Sequence, residues 1–64
     1  MTIVNNEYGV EINFESAVAL MDEDIREPIA GTVETEQEFF DAYCKAHEES
    51  FGEEFECAKR NPCY

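Results

Sequence analysis

Thr35-Glu36-Gln37-Glu38-Phe39-Phe40-Asp41-Ala42-Tyr43-Cys44-Lys45-Ala46-His47-Glu48-Glu49-Ser50-Phe51-Gly52 is the stretch whose reading decides the fold. Its opening, Thr35-Glu36-Gln37-Glu38, has the spacing of a capping box: Thr35 can accept from the amide three residues on, and Glu38 can reach back. From there Phe39, Phe40, Tyr43, Ala46, His47 and Phe51 recur at helical intervals, and Gly52 stands where a left-handed residue closes a helix. This predicts a helix from Glu36 to about Phe51.

Upstream, residues 29–34, with Gly31, read as a connector, and Pro28 is expected to end an earlier helix because the residue before a proline is pushed out of the α region. That earlier helix is marked by one apolar stripe, Phe14, Ala17, Val18, Met21 and Ile25, beginning after Asn13 as N-cap. Asp22 and Arg26, four apart, can pair on its outer face. Farther back, Thr2-Ile3-Val4-Asn5 and Val10-Glu11-Ile12 are β-favouring runs around Asn6-Glu7-Tyr8-Gly9, where Asn and Gly suit a reversal. Downstream, Glu53-Glu54-Phe55-Glu56-Cys57 alternates charged and apolar residues and can be either a third strand or an extended tail.

The expected fold is therefore α+β: a small single domain over residues 1–58, an N-terminal β-hairpin packed with two helices, a third C-terminal strand left open, and residues 59–64 as a flexible tail. The expected core is Ile3, Val10, Ile12, Phe14, Val18, Met21, Ile25, Phe40, Tyr43 and Phe51. Adjacent Phe39 and Phe40 cannot both face one core, which places one of them at an interface.

The chain has 64 residues, five Phe and three Tyr, and 44% hydrophobic residues, too apolar for a disordered acidic tail. A domain of this size buries only about 60% of the surface its unfolded chain exposes, so its stability is marginal. Self-repulsion deepens that deficit, and added NaCl is expected to raise the melting temperature; a steady fall with moderate salt would contradict this. The region before Asn13 shows no basic and apolar signal pattern and no apolar run approaches a membrane span, so the expected location is cytoplasmic; three cysteines, an odd number, agree with a reducing compartment.

Charge carries the functional reading. Four Lys and Arg stand against 16 Asp and Glu, a net charge of -12, and because Lys59 and Arg60 lie in the tail, residues 1–58 carry -14. Direct binding to nucleic acid or to an anionic membrane is excluded by repulsion. Duplex DNA presents about one negative charge per 1.7 Å of axis, and carboxylates at helical spacings of roughly 5 to 6 Å can occupy the same basic groove on a protein. Solubility alone also explains an acidic surface. The macrodipole accounts for Glu36 and Glu38 at a helix start but disfavours Glu48 and Glu49 in a last turn. Two candidate partner-binding sets result: Asp22, Glu23, Asp24 and Glu27, and Glu48, Glu49, Glu53 and Glu54.

Other chemistry is poorly supplied. Cys44, His47, Cys57 and Cys63 form a C-x2-H-x9-C-x5-C series that zinc could accept, but without the tight knuckles of structural sites; no metal or cofactor is expected, and Cys44 and His47 are expected to share a helix face in or near the core. A catalytic cysteine needs a positive setting that is missing here. Asp22-Glu23-Asp24 fails the calcium-loop pattern because the sixth position is Glu27 rather than Gly, and no Gly-rich phosphate loop exists. The chain is read as a non-enzyme.

The stretches Ala17-Val18-Ala19-Leu20-Met21-Asp22-Glu23-Asp24-Ile25-Arg26-Glu27, Glu38-Phe39-Phe40-Asp41-Ala42-Tyr43-Cys44-Lys45-Ala46-His47-Glu48 and Phe51-Gly52-Glu53-Glu54-Phe55 resemble small acidic proteins of phages and conjugative elements of Gram-positive gut bacteria. Proteins of that kind include anti-restriction and anti-CRISPR inhibitors, many of them nucleic-acid mimics, and the resemblance carries over no catalytic residue. It implies a non-catalytic inhibitor occupying the basic groove of a host nucleic-acid-binding protein, a defence nuclease being the expected kind. The alternative is a small homo-oligomeric or accessory module with an apolar interface and acids serving solubility.

Overall fold

The computed structural model describes residues 2–61. Strands β1 (Ile3–Asn5) and β2 (Glu11–Asn13) pair antiparallel, with Val4 opposite Ile12. Asn6 organises the turn between them. Its Oδ1 accepts from the amides of Tyr8 and Val10 at 2.9 and 3.0 Å, and Gly9 closes the reversal at φ +80°, a backbone state that side chains resist. Asn6 is buried because its Nδ2 donates to the carbonyls of Cys57 and Lys59, at 3.3 and 2.6 Å, so one amide side chain clamps the hairpin to the far end of the chain.

Helix α1 (Phe14–Leu20) starts at Asn13, whose Oδ1 accepts from Ser16 N, as the sequence predicts. It stops earlier than expected. Met21 and Asp22 are extended (ψ 143° and 126°), and Asp22 caps a new helix, α2 (Glu23–Ala30), by accepting from Asp24 N at 2.9 Å. The break is held from outside: Asp22 N donates to the Tyr43 hydroxyl at 2.7 Å, and Arg26 Nη1 donates across it to the Val18 carbonyl at 3.1 Å rather than meeting Asp22 in the expected pair. The single first helix is thus two, and Pro28 lies inside α2 instead of ending it. Pro28 and Asp24 are both exposed, so water can serve the carbonyl that the missing proline amide leaves.

Helix α3 (Glu36–Phe51) follows the sequence expectation at both ends. Thr35 Oγ1 accepts from Glu38 N at 3.1 Å and donates to the Glu38 carboxylate at 3.2 Å; Gly52 closes the helix at φ +73°. Gln37, which the sequence did not mark, pairs its side-chain amide with both backbone groups of Asn5, at 2.8 and 2.9 Å, and so covers part of the open edge of β1.

Among the described residues the sheet has two strands. The third strand left open at Glu53–Cys57 is not formed; instead Phe55 turns inward and Glu56–Ala58 make one turn of 3-10 helix. The core is Val4, Ile12, Ala17, Met21, Phe40, Tyr43, Phe55, Cys57 and Ala58, with Val10, Phe14, Val18, Ile25 and Phe39 packed half-buried against it. Two expected core residues are corrected. Ile3 is 47% exposed because adjacent strand residues face opposite ways and Val4 takes the inner position. Phe51 is 53% exposed because Gly52 reverses the chain and Phe55 fills the site instead, its ring 4.7 Å from Tyr43 and 6.5 Å from Phe40. Lys59 and Arg60 lie against the hairpin, Arg60 5.3 Å above the Tyr8 ring, and residues 62–64 of the expected tail, Cys63 included, are outside the described residues.

Candidate functional site

The two acidic sets predicted from sequence lie on separate elements that the fold joins. Asp22, Glu23, Asp24 and Glu27 occupy the cap and the first turns of α2, and all four are exposed. Glu48 and Glu49 occupy the last turn of α3, with Glu53 and Glu54 just beyond Gly52; Glu54 alone of these is half-buried. The link between the sets runs through three contacts. Asp22 N donates to the Tyr43 hydroxyl, the Tyr43 ring lies 5.9 Å from that of His47, and His47 Nδ1 sits 3.0 Å from the Glu53 carbonyl. A carbonyl only accepts, so Nδ1 carries the proton.

Near His47 are two exposed apolar side chains, Leu20 (45%) and Phe51. Leu20, His47, Phe55, three glutamates (Glu53, Glu54 and Glu56) and the cation Lys59 line a depression of about 260 Å³. Phe51 stacks near His47, with ring centroids 4.6 Å apart. Leu20 and Phe51, with Glu53 and Glu54 beside them, make a small apolar saddle. Sequence reasoning named the acids but missed Leu20, and it assigned Phe51 to the core. Nothing local distinguishes Phe51 from a core residue; only the competing position of Phe55 does.

The negative field reaches farther than this surface. Tyr8, in the hairpin turn, has its hydroxyl pKa raised, first by Glu54 and then by Glu7, with the Arg60 cation opposing. Tyr43 is raised first by burial.

Cys44 and His47, expected to share a face, line different depressions: Cys44 lies with Asn6, Glu7, Asp41 and Glu48, whereas His47 faces Glu53 and Leu20. Among the described residues no group of three or more His, Cys, Asp or Glu side chains is arranged to hold a metal. The thiols are held in their neutral form. Burial, with Asp41 and other acids adding to it, pushes Cys44 from 9.0 up to about 12, and burial with Glu56 pushes Cys57 up to about 11. Both therefore lack the thiolate that nucleophilic chemistry needs. In a Cys63→Ser variant at about pH 8, iodoacetamide is expected to modify Cys44 and Cys57 at least 100-fold more slowly than free cysteine, read by mass spectrometry. The folded pKa values lie above the unfolded ones, so the stability the two thiols contribute is complete below pH 9.0 and is lost as the pH climbs through about 11 to 12.

Among the described residues no helix is long and apolar enough to cross a membrane. No curated protein matches the chain with significant similarity. A family model, that of anti-CRISPR protein AcrIC5, matches residues 5–55. That span takes in the turn built on Asn6, all three α-helices and every residue of both acidic sets, and it covers more than three quarters of the sequence. The chain belongs to the AcrIC5 family of anti-CRISPR proteins.

Proposed function

We propose that the protein is a non-catalytic inhibitor that works in the cytoplasm of the host cell and occupies the basic groove in which a subunit of a CRISPR effector holds nucleic acid, with a nuclease or DNA-binding subunit as its target. The observation that supports this reading is the exposure of nearly all the acids of both sets on elements linked through the Asp22–Tyr43–His47–Glu53 contacts. A basic groove built for phosphates is complementary to such a surface in charge, and the apolar saddle supplies the desolvated centre that a stable interface needs.

Affinity on this reading is mostly electrostatic. Binding of the purified protein to a purified CRISPR effector complex is expected to be displaced by duplex DNA, and to weaken at least tenfold between about 50 and 200 mM salt. A Kd unchanged over that range, or simultaneous binding of DNA and inhibitor without competition, would overturn mimicry.

The exposed Leu20 and Phe51 are the observation favouring the second reading, a homo-oligomeric module. Light scattering after size exclusion separates the two: a monomer whose apolar saddle is free to meet the effector fits mimicry, and a dimer that loses its dimer contact when Phe51 is replaced by Ser fits the module.

A further inference from the structure

A second concave surface, which shares Glu27 with the first acidic set, lies where α2 turns back to meet the start of α3. Phe14 and Phe39 form its floor, with their rings edge to face at 5.8 Å, and Val18 and Val33 form apolar walls around a groove of about 400 Å³. Three carboxylates, Glu27, Glu34 and Glu36, stand around it. The one cation in the lining, Arg26, donates from Nη1 to the Val18 carbonyl at 3.1 Å, and the three carboxylates outnumber it. The negative end of α2 opens onto the groove at Ala30, while the positive end of α3 is offset by its own Glu36 and Glu38.

Apolar walls with a carboxylate rim match one kind of side chain. Arginine lays a methylene stem along apolar surface, stacks its planar cation on aromatic rings, and ends in a fork that carboxylates accept. A neutral apolar side chain would gain nothing from the three exposed carboxylates around the groove, and an acidic one would be repelled. We infer that this groove is an anchoring pocket for an arginine side chain of the target protein, a second point of attachment beside the acidic saddle. The inference rests on the reading that the target is a basic nucleic-acid-binding protein, whose grooves carry arginines placed for phosphate. It adds a geometric requirement, because the arginine must project far enough to enter a pocket.

The groove can be tested with and without the target. Titration of the protein with N-acetyl-arginine amide, followed by NMR, is expected to shift the methyl and ring signals of Val18, Val33, Phe14 and Phe39 in a saturable way, whereas N-acetyl-citrulline amide, the same shape without charge, leaves them unmoved. Ala30 is exposed at the groove lip, so Ala30→Trp fills the opening at little risk to the fold. That variant should abolish the arginine shifts and weaken effector binding at least tenfold, with Ala30→Ser within twofold of the parent. A photo-cross-linking residue at position 30 should capture an arginine-bearing peptide of the effector. Absence of saturable arginine shifts overturns the inference, as does capture of a second copy of this chain at position 30. If Ala30→Trp binds normally while charge reversal of the saddle destroys binding, the pocket fails and the mimicry reading stands. If DNA fails to compete at all, the mimicry reading fails, and the arginine titration still decides the pocket.

Discussion

Replacing Glu48, Glu49, Glu53 and Glu54 together by Lys is expected to weaken binding to the effector by about 100-fold or more while leaving the inhibitor at least as stable as before. The two effects have opposite signs for a structural reason. Glu48 and Glu49 stand in the last turn of α3, where the helix macrodipole disfavours carboxylates and favours cations. Lysines there relieve a local strain and also lower the repulsion within a chain of net charge -12. A titration of effector binding and a thermal melt on the same preparation separate the outcomes. Loss of affinity with an unchanged or higher Tm locates the partner at this surface; unchanged affinity removes it. The other set is less clean as a probe, because Asp22 is the cap of α2 and its loss costs about 1 kcal/mol of stability before any partner is considered. Reversal of Glu23 and Asp24 alone avoids that confusion and leaves Glu27, which also lines the groove beside Ala30, in place.

Phe55→Ala is expected to unfold most of the protein at 25 °C. Phe55 is buried, with Tyr43, Phe40 and His47 around its ring, and truncation of such a side chain costs about 3 to 5 kcal/mol. A single core in a chain this short supplies about that much in total. Phe51→Ala, four residues away, removes an exposed ring and is expected to shift stability by about 0.5 kcal/mol or less. Urea titration followed by circular dichroism compares them. Equal effects of the two substitutions would mean that Phe51 supports the end of α3 as much as Phe55 does, against the burial that separates them.

The contrast between these two phenylalanines shows where sequence reading succeeds in this chain and where it stops. Features decided within a few residues were legible: the reversal built from Asn6 and Gly9, the Asn13 cap, the Thr35 cap, and Gly52 closing α3. Each depends on a local backbone preference or a side chain bonding its own neighbourhood. The division of residues 14–30 into two helices was not legible, because Phe14, Ala17, Val18, Met21 and Ile25 keep helical spacing straight through the break. Asp22 could have hinted at it as a cap, but the Tyr43 hydroxyl that receives its amide is 21 residues away in sequence. The inward roles of Cys57 and Ala58 were hidden for the same reason. For the candidate site, the acids were visible as letters and could be grouped only by position along the chain. Their link through Tyr43 and His47, and the exposure of Leu20 and Phe51 near His47, required the tertiary fold.

The clamp made by Asn6 has a kinetic consequence. It joins carbonyls 51 and 53 residues distant, and the buried Val4 and Ile12 share one core with Cys57 and Ala58. A two-stranded hairpin is barely stable alone, and α1 and α2 are too short to persist in water. Neither the hairpin nor these two helices can therefore wait, half-finished, for the rest to arrive. Folding must close the longest loop in the chain before the core rewards it, and opening one end removes the support of the other. Such a protein should be degraded at a rate set by the population of its fully open state, with no sub-structure left to protect or to trap. Inside a cell its working lifetime would then be controlled by occupancy, since each molecule seated on a target is withdrawn from the open pool.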